Sequence, residues 1–231
     1  AVADVLNVRP EEILADERGF FTAATVEDAV PFKRAVGLAC ERRLPLAASG
    51  WFVAPETSFD RDGDGQGNAY MTYVWSANLA EVEVDPGTLQ VRVLKLVTAH
   101  DVGKAINPQE VRGQIQGGAL QGLGYALSET IAYSGVTPTI TPIPAGIMLN
   151  AGFSGYIFPT AMDAPEIVPV IVENPFPEGP FGAKGIGEPP LIGVAPAVAN
   201  AVANALGVRV RRLPLCPEHI LDAIDGQETH S

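Results

Sequence analysis

Cysteine is scarce. Only Cys40 and Cys216 occur in 231 residues, with no Cys-x-x-Cys spacing, so the thiolates of this chain cannot assemble an iron–sulfur cluster or a zinc site. Two isolated thiols are expected to be buried and unlinked, a usage that suits a reducing cytoplasm. Histidine is equally sparse. His100, His219 and His230 are scattered without metal-ligand spacing, and His100, beside Asp101 at a strand end, is expected to make a structural hydrogen bond. Positive charge is short as well: 15 Lys and Arg against 27 Asp and Glu leave a net charge of -12, which argues against nucleic acid or a membrane surface as partner. The longest apolar run, Val194 to Ala205, is broken by Pro196 and two Asn and falls short of the ~20 residues of a membrane span. No basic stretch followed by an apolar core opens the chain, so no signal peptide is read there. Ala1 begins a helical pattern without an initiator methionine, and a processed or split polypeptide is expected. The serine-elbow, P-loop and dinucleotide glycine motifs are all missing, which removes the common nucleophile and nucleotide classes.

What the sequence does contain is enough apolar residue, 47%, to bury a core as one large domain or two small ones. Its 24 Gly and 20 Pro punctuate a mixed α+β pattern, expected as one region over 1–231 with possible sub-lobes 1–70 and 71–231. Val2 to Leu6 reads as a helix and Glu11 to Ala15 and Gly19 to Ala24 as short extended pieces. Thr25 is placed to cap a helix over Ala29 to Arg43. Met71 to Val84 and Leu89 to Ala99 predict a hairpin about Asp85-Pro86-Gly87. A helix is expected over Gln109 to Ile131, a strand over Ile167 to Glu173, and an alanine-rich helix over Pro190 to Leu206 closed by Gly207. A last strand over Val208 to Leu213, a short helix over Pro217 to Ile224 and a frayed tail complete the reading.

Three segments bear on chemistry. Asp60 to Gly67 mimics the start of a calcium loop, but Met71 stands where a bidentate Glu is needed, so a glycine-rich surface loop is the better reading. The helix after Pro108 carries glycines at 113, 117, 118, 122 and 124, each costing roughly 1 kcal/mol against Ala. Either a cofactor or tightly packed secondary structure must come close to this backbone. Glu188 follows Gly182-Ala183-Lys184-Gly185-Ile186-Gly187 and precedes Pro189-Pro190. Glycines let backbone N–H groups approach an anion and the prolines freeze the exit, so the carboxylate is either a held reactive group or a helix cap.

Five ordered stretches carry a family likeness: Ala80–Asp85, Ala99–Pro108, Gly113–Gly124, Pro159–Ile167 and Gly182–Pro190. In their order and separation they resemble the molybdenum-binding subunits of the xanthine dehydrogenase and aldehyde oxidase family, over nearly the whole chain. The resemblance implies a C-terminal molybdopterin-binding region of α+β fold. It places Glu188 on the family's catalytic base, which accepts a proton from a hydroxyl on molybdenum so that the oxygen can attack an electron-poor carbon. A partly buried carboxylate is expected for that role. It places Gln121 on a glutamine near the molybdenum oxo group, and Gly185, Ile186 and Gly187 on backbone lining the metal centre. No protein side chain of this chain is expected to ligate the metal.

The resemblance further implies a molybdenum–molybdopterin cofactor, in its cytosine dinucleotide form, shared with the remaining part of the molybdopterin subunit, and [2Fe-2S] and FAD groups on partner subunits. Pocket-forming segments of the family that lie upstream are not in this chain, so it is expected to be inactive alone. The Gly-Glu-Pro-Pro form leans to hydroxylation of an N-heterocycle of purine or nicotinate type, or of an aldehyde, and away from carbon monoxide oxidation. The alternative of another class is a cofactor-free interaction or maturation module that kept the fold.

Overall fold

The computed structural model describes residues 1–134 and 146–228. It contains two compact units, Ala1–Val53 and Ala54–Ser231. The division falls short of residue 70, while the regular structure of the second unit begins beyond it, at Ser76.

In the first unit α1 (Val2–Leu6) ends where Asn7 turns left-handed at φ 54°, a conformation its short amide side chain tolerates. Two three-residue strands, β1 (Leu14–Asp16) and β2 (Gly19–Phe21), pair antiparallel, and an Arg18–Asp16 ion pair spans their turn. Phe20 then exchanges backbone hydrogen bonds with Val30 at 2.9 and 2.8 Å. That pairing holds residue 30 extended, so the helix expected from Ala29 starts later, as α2 (Phe32–Glu41) behind Pro31. Thr25 does not cap it: the Thr25 hydroxyl accepts the Thr22 N–H at 2.9 Å instead. Ala35 and Leu38 bury one face of α2 against Val30, Phe20 and the residues of α1.

The second unit is built on a three-stranded sheet in the order β3 (Ser76–Val84), β4 (Val91–Asp101), β5 (Glu166–Val172). β3 and β4 form the expected hairpin. Its turn is fixed by the Asp85 carboxylate, which accepts the N–H groups of Gly87 and Thr88 at 2.7 and 3.0 Å. β5 joins β4 in parallel, and Pro169 is tolerated there because β5 is an edge strand. Between them runs α3 (Pro108–Leu127), whose first turn is capped by the Asn107 side chain accepting from Gln109 and Glu110. The alanine-rich segment divides at Gly193 into a single turn, α4 (Pro189–Ile192), and α5 (Val194–Leu206), which Gly207 closes in the left-handed region. Val194, Val198 and Val202, one turn apart, are fully buried with Leu96, Ala119, Leu123 and Ile220. Pro189–Leu206 is long and apolar enough by composition to cross a membrane, yet those valines form the core of this unit.

Several expectations are corrected. Val208 to Leu213 is not a strand; Val208 and Val210 are buried, and downstream the Leu215 N–H donates to the Ala126 carbonyl at 2.7 Å, tying this stretch to α3. The last helix, α6 (Pro217–Glu228), extends past Ile224 through residues expected to fray. His230 lies outside the described residues. Both cysteines are free but not buried: Cys40 is exposed and Cys216 half-buried. The Asp60 carboxylate is occupied by the backbone N–H groups of Asp62 and Gly63, and the described residues bring together no group of three or more His, Cys, Asp or Glu able to hold a metal ion.

Candidate active site

The carboxyl end of β4 and the segment 182–190 meet edge to edge. Gly103 lies at φ 65°, and a β-carbon on it would run into the carbonyl of Gly182 and stand 2.8 Å from the Lys184 nitrogen, so only glycine fits. This closeness lets the Lys184 N–H reach the Val102 carbonyl at 2.9 Å and the Lys104 N–H reach that of Gly182 at 2.8 Å. Beneath them lies an ion pair, Lys184 Nζ to Asp101 Oδ2 at 2.6 Å, with side chains only 6% and 5% exposed. Asp101 also accepts the Gly103 N–H at 3.0 Å. Burial pushes the Asp101 carboxyl up, but Lys184, the Gly103 N–H and Asn174 together outweigh it and hold it below the ordinary carboxylate range.

Downstream, Gln114 on α3 donates from Nε2 to the Gly187 carbonyl at 2.7 Å. Pro190 is buried under α3, where a β-carbon on Gly118 would stand 2.6 Å from its Cβ. Gly185, Ile186, Gly187 and Glu188 are thus slung between two anchors. Nothing lies within 4 Å of where side chains on Gly185 or Gly187 would begin, so their backbone faces open space. Glu188 stands at the N-cap position of α4 but makes no side-chain capping hydrogen bond, so it is not a cap. It is exposed on this chain rather than partly buried. Beside it a concavity of about 390 Å³ is lined by Lys104, Ile106, Asn107, Gln114, Ile186 and Gly187, with Glu188 outside the lining.

The packing explanation holds for some of the glycines of α3 and not for others. Gly118 and Gly122 are packing positions, the second with a would-be β-carbon 2.6 Å from the Leu191 carbonyl. Gly113 and Gly117 face open space. Gln114 went unnoticed in the sequence, although it stands seven residues before Gln121, two turns along the same helix face. Gln121 itself is exposed; its Nε2 is 3.5 Å from the Tyr125 hydroxyl, and it lines a second concavity with Gly117, Glu129, Tyr156 and Phe158. There the Tyr156 hydroxyl donates to Glu129 at 2.6 Å, and that carboxylate pushes the phenol above its usual range. The structure therefore brings Gly185–Glu188 together with Gln114, and places Gln121 about 10 Å farther along α3 at 1.5 Å per residue.

His100 does not make the hydrogen bond expected of it. Both ring nitrogens are buried without a partner, as are Thr98 Oγ1 and Asn78 Oδ1, and burial pushes the imidazole below its ordinary range. The ring lies buried on β4, one residue from Asp101.

A family model described as the molybdopterin cofactor-binding domain matches residues 1–165. The gamma subunit of the 6-hydroxypseudooxynicotine dehydrogenase complex of Paenarthrobacter nicotinovorans is 36% identical over 162 residues, 69% of this chain and 19% of that protein. An aldehyde oxidoreductase of Megalodesulfovibrio gigas is 37% identical over 161 residues, 69% of this chain and 16% of that protein. Among solved structures, quinoline 2-oxidoreductase from Pseudomonas putida 86 superposes with a TM-score of 0.63 at 26% identity, covering 96% of this chain and 27% of that one. The chain thus spans less than a fifth of the length of these two curated relatives. By the matched domain and these relatives, the chain belongs to the molybdopterin cofactor-binding domain family, among the molybdenum-binding subunits of the xanthine dehydrogenase and aldehyde oxidase type.

Proposed function

We propose that this chain forms one wall of the active site of a cytoplasmic molybdenum hydroxylase, with Glu188 as its general base. The observation that carries the reading is the slung segment Gly185–Glu188: two glycines with open space before them, and a carboxylate that does not cap its helix and, among the described residues, forms no ion pair. The residues present fit a molybdopterin. Gly185 and Gly187 on one side, and Gly113 and Gly117 on α3, offer backbone that a flat anionic ligand can approach closely. Gln114 and Asn107 add polar groups to the concavity that Gly187 lines. When bound, the molybdenum centre supplies two-electron oxidation of carbon with oxygen derived from water.

What this chain contributes is geometry and a proton acceptor. Glu188 must be ionised and within about 3 Å of the proton it removes, and its place after Gly187, whose carbonyl Gln114 holds, limits the positions the carboxylate can take. Ile186, half-buried beside the concavity, excludes water from one side of it. Gln121 supplies a hydrogen-bonding amide farther along α3. The substrate is an N-heterocycle of purine or nicotinate type or an aldehyde, and the cofactor carries cytosine dinucleotide. A second polypeptide completes the pocket, and electrons leave through [2Fe-2S] and FAD partner subunits. In the assembled complex, Glu188→Gln is expected to cut turnover by at least 10²-fold, the scale of a lost general base, with molybdenum and pterin content unchanged. Turnover like the wild type would remove Glu188 from the reaction, and a complex without molybdenum and pterin would favour the cofactor-free module.

A further inference from the structure

We propose that the Lys184–Asp101 ion pair is a positioning device that sets where the Gly185–Glu188 segment leaves the sheet, and so where the Glu188 carboxylate stands. The inference rests on Glu188 being the base. Its own support is geometric. Lys184 is the last residue before the segment, and its side chain does not follow the backbone outward. It turns back under the sheet to Asp101 at 2.6 Å and to the Tyr73 carbonyl at 3.3 Å. Both charged side chains are more than nine-tenths buried, whereas the segment they precede is exposed at Gly185, Gly187 and Glu188.

A buried ion pair is a poor source of net stability, because desolvation of both ions offsets most of their attraction; what it supplies well is a single geometry. Here that geometry is unusually constrained. Asp101 cannot shift, since it also accepts the Gly103 N–H and is reached by Asn174, and Gly103 is fixed in the left-handed region by its neighbour's carbonyl. Lys184 cannot swing out without stranding a buried carboxylate. The backbone of residue 184 is therefore fixed twice, by its N–H on Val102 and by its side chain on Asp101. Glycine on both sides of Ile186 would otherwise leave residues 185–187 with a wide conformational choice. One end of that freedom is removed by the ion pair, the other by Gln114 and the two prolines. Lys184 is thus a positioning residue and not a catalytic one.

The test uses the complete molybdenum-containing complex. Lys184→Met keeps the aliphatic stem and deletes the charge. The double variant Lys184→Met with Asp101→Asn leaves no buried charge, keeps an acceptor for the Gly103 N–H, and serves if the single variant does not fold. Amide hydrogen exchange is followed at residues 182–191 and, as an internal reference, in the β3–β4 hairpin. The expected result is faster exchange of the Lys184 and Leu191 amides with the hairpin unchanged. Turnover per bound molybdenum should fall at least tenfold with KM within twofold, and Lys184→Arg should recover most of it. Unchanged exchange at 184–191 would overturn the proposal. Faster exchange with undiminished turnover per molybdenum would overturn it too, by showing a purely structural pair. If Glu188→Gln in the same complex turns over normally, the base assignment fails, and the exchange result still decides whether the pair fixes the segment.

Discussion

At Gly103 the cost of a single methyl group can be stated. The left-handed backbone costs a non-glycine residue about 1–2 kcal/mol, and the added carbon would also collide with Gly182 across the paired edges. Gly103→Ala is expected to destabilise the chain by about 2 kcal/mol or more, measured as a lower urea midpoint at unchanged slope. His100 gives a pH signature. Burial disfavours its charged form in the folded chain, so the unfolded chain binds the proton more readily, and stability contributed by this residue is present above the ordinary histidine range near pH 6.5 and is lost as pH falls below it. Unfolding free energy measured from pH 7.5 to pH 5 should therefore decline more steeply for the wild type than for His100→Leu. Equal slopes would mean that the ring finds a partner when charged. Neither effect is visible from the sequence, where His100 beside Asp101 suggests a hydrogen bond; the alternation of a strand sends neighbours to opposite faces, and only Asp101 finds a cation.

At the scale of elements, the glycines of α3 separate by what faces them. Gly113→Ala and Gly117→Ala add helix propensity into open space and should stabilise the isolated chain by up to about 1 kcal/mol each. Gly118→Ala gains the same propensity but meets Pro190, and should lose stability and disturb α4. Thermal unfolding of the three variants gives opposite signs if the assignment holds, and in the complex Gly117→Ala should lower cofactor retention despite its stabler helix. The sequence carried part of this element: Asn107-Pro108 marks its start, but the helix ends at Leu127, four residues before the expected Ile131. It could not tell packing glycines from open ones, because that depends on α4 and α5 lying across one side of the helix. The same limit explains Val208 to Leu213, whose alternating apolar residues look like a strand but reach the core without a sheet to join. It explains α2 as well, where the pairing of Phe20 with Val30, distant contacts rather than local propensity, moved the start of the helix behind Pro31. For the candidate site, crowded glycine and proline mark Gly185–Glu188 as a segment with constrained ends, while the role of Glu188 comes from the family resemblance; Gln114 and the Asp101 partner of Lys184 come from other elements and surface only when the chain folds.

For the whole molecule, the apolar surface is informative. Both tryptophans are exposed, Trp51 at 91% and Trp75 at 74%, and Phe153, Met162 and Phe181 are among many other apolar side chains left in water. Large exposed apolar groups in such number mark contact surfaces. Because the chain has just two indoles, their emission is a direct reading. The isolated chain should show the red-shifted emission of hydrated tryptophan and bind a hydrophobic dye, and assembly with the second polypeptide proposed above should shift the emission to the blue and release the dye. Unshifted emission on assembly would place both indoles outside the contact.

The parallel register of β4 and β5 also has a consequence in time. The β3–β4 hairpin closes over a turn of a few residues, an event of about microseconds. β5 can dock only after the long stretch from α3 to Pro165 has closed on itself, and non-local pairings of that kind are slow. Residues 182–184 follow β5 in the chain and pair with residues just beyond β4, so the segment that carries Glu188 is set in place only once that slow docking has occurred.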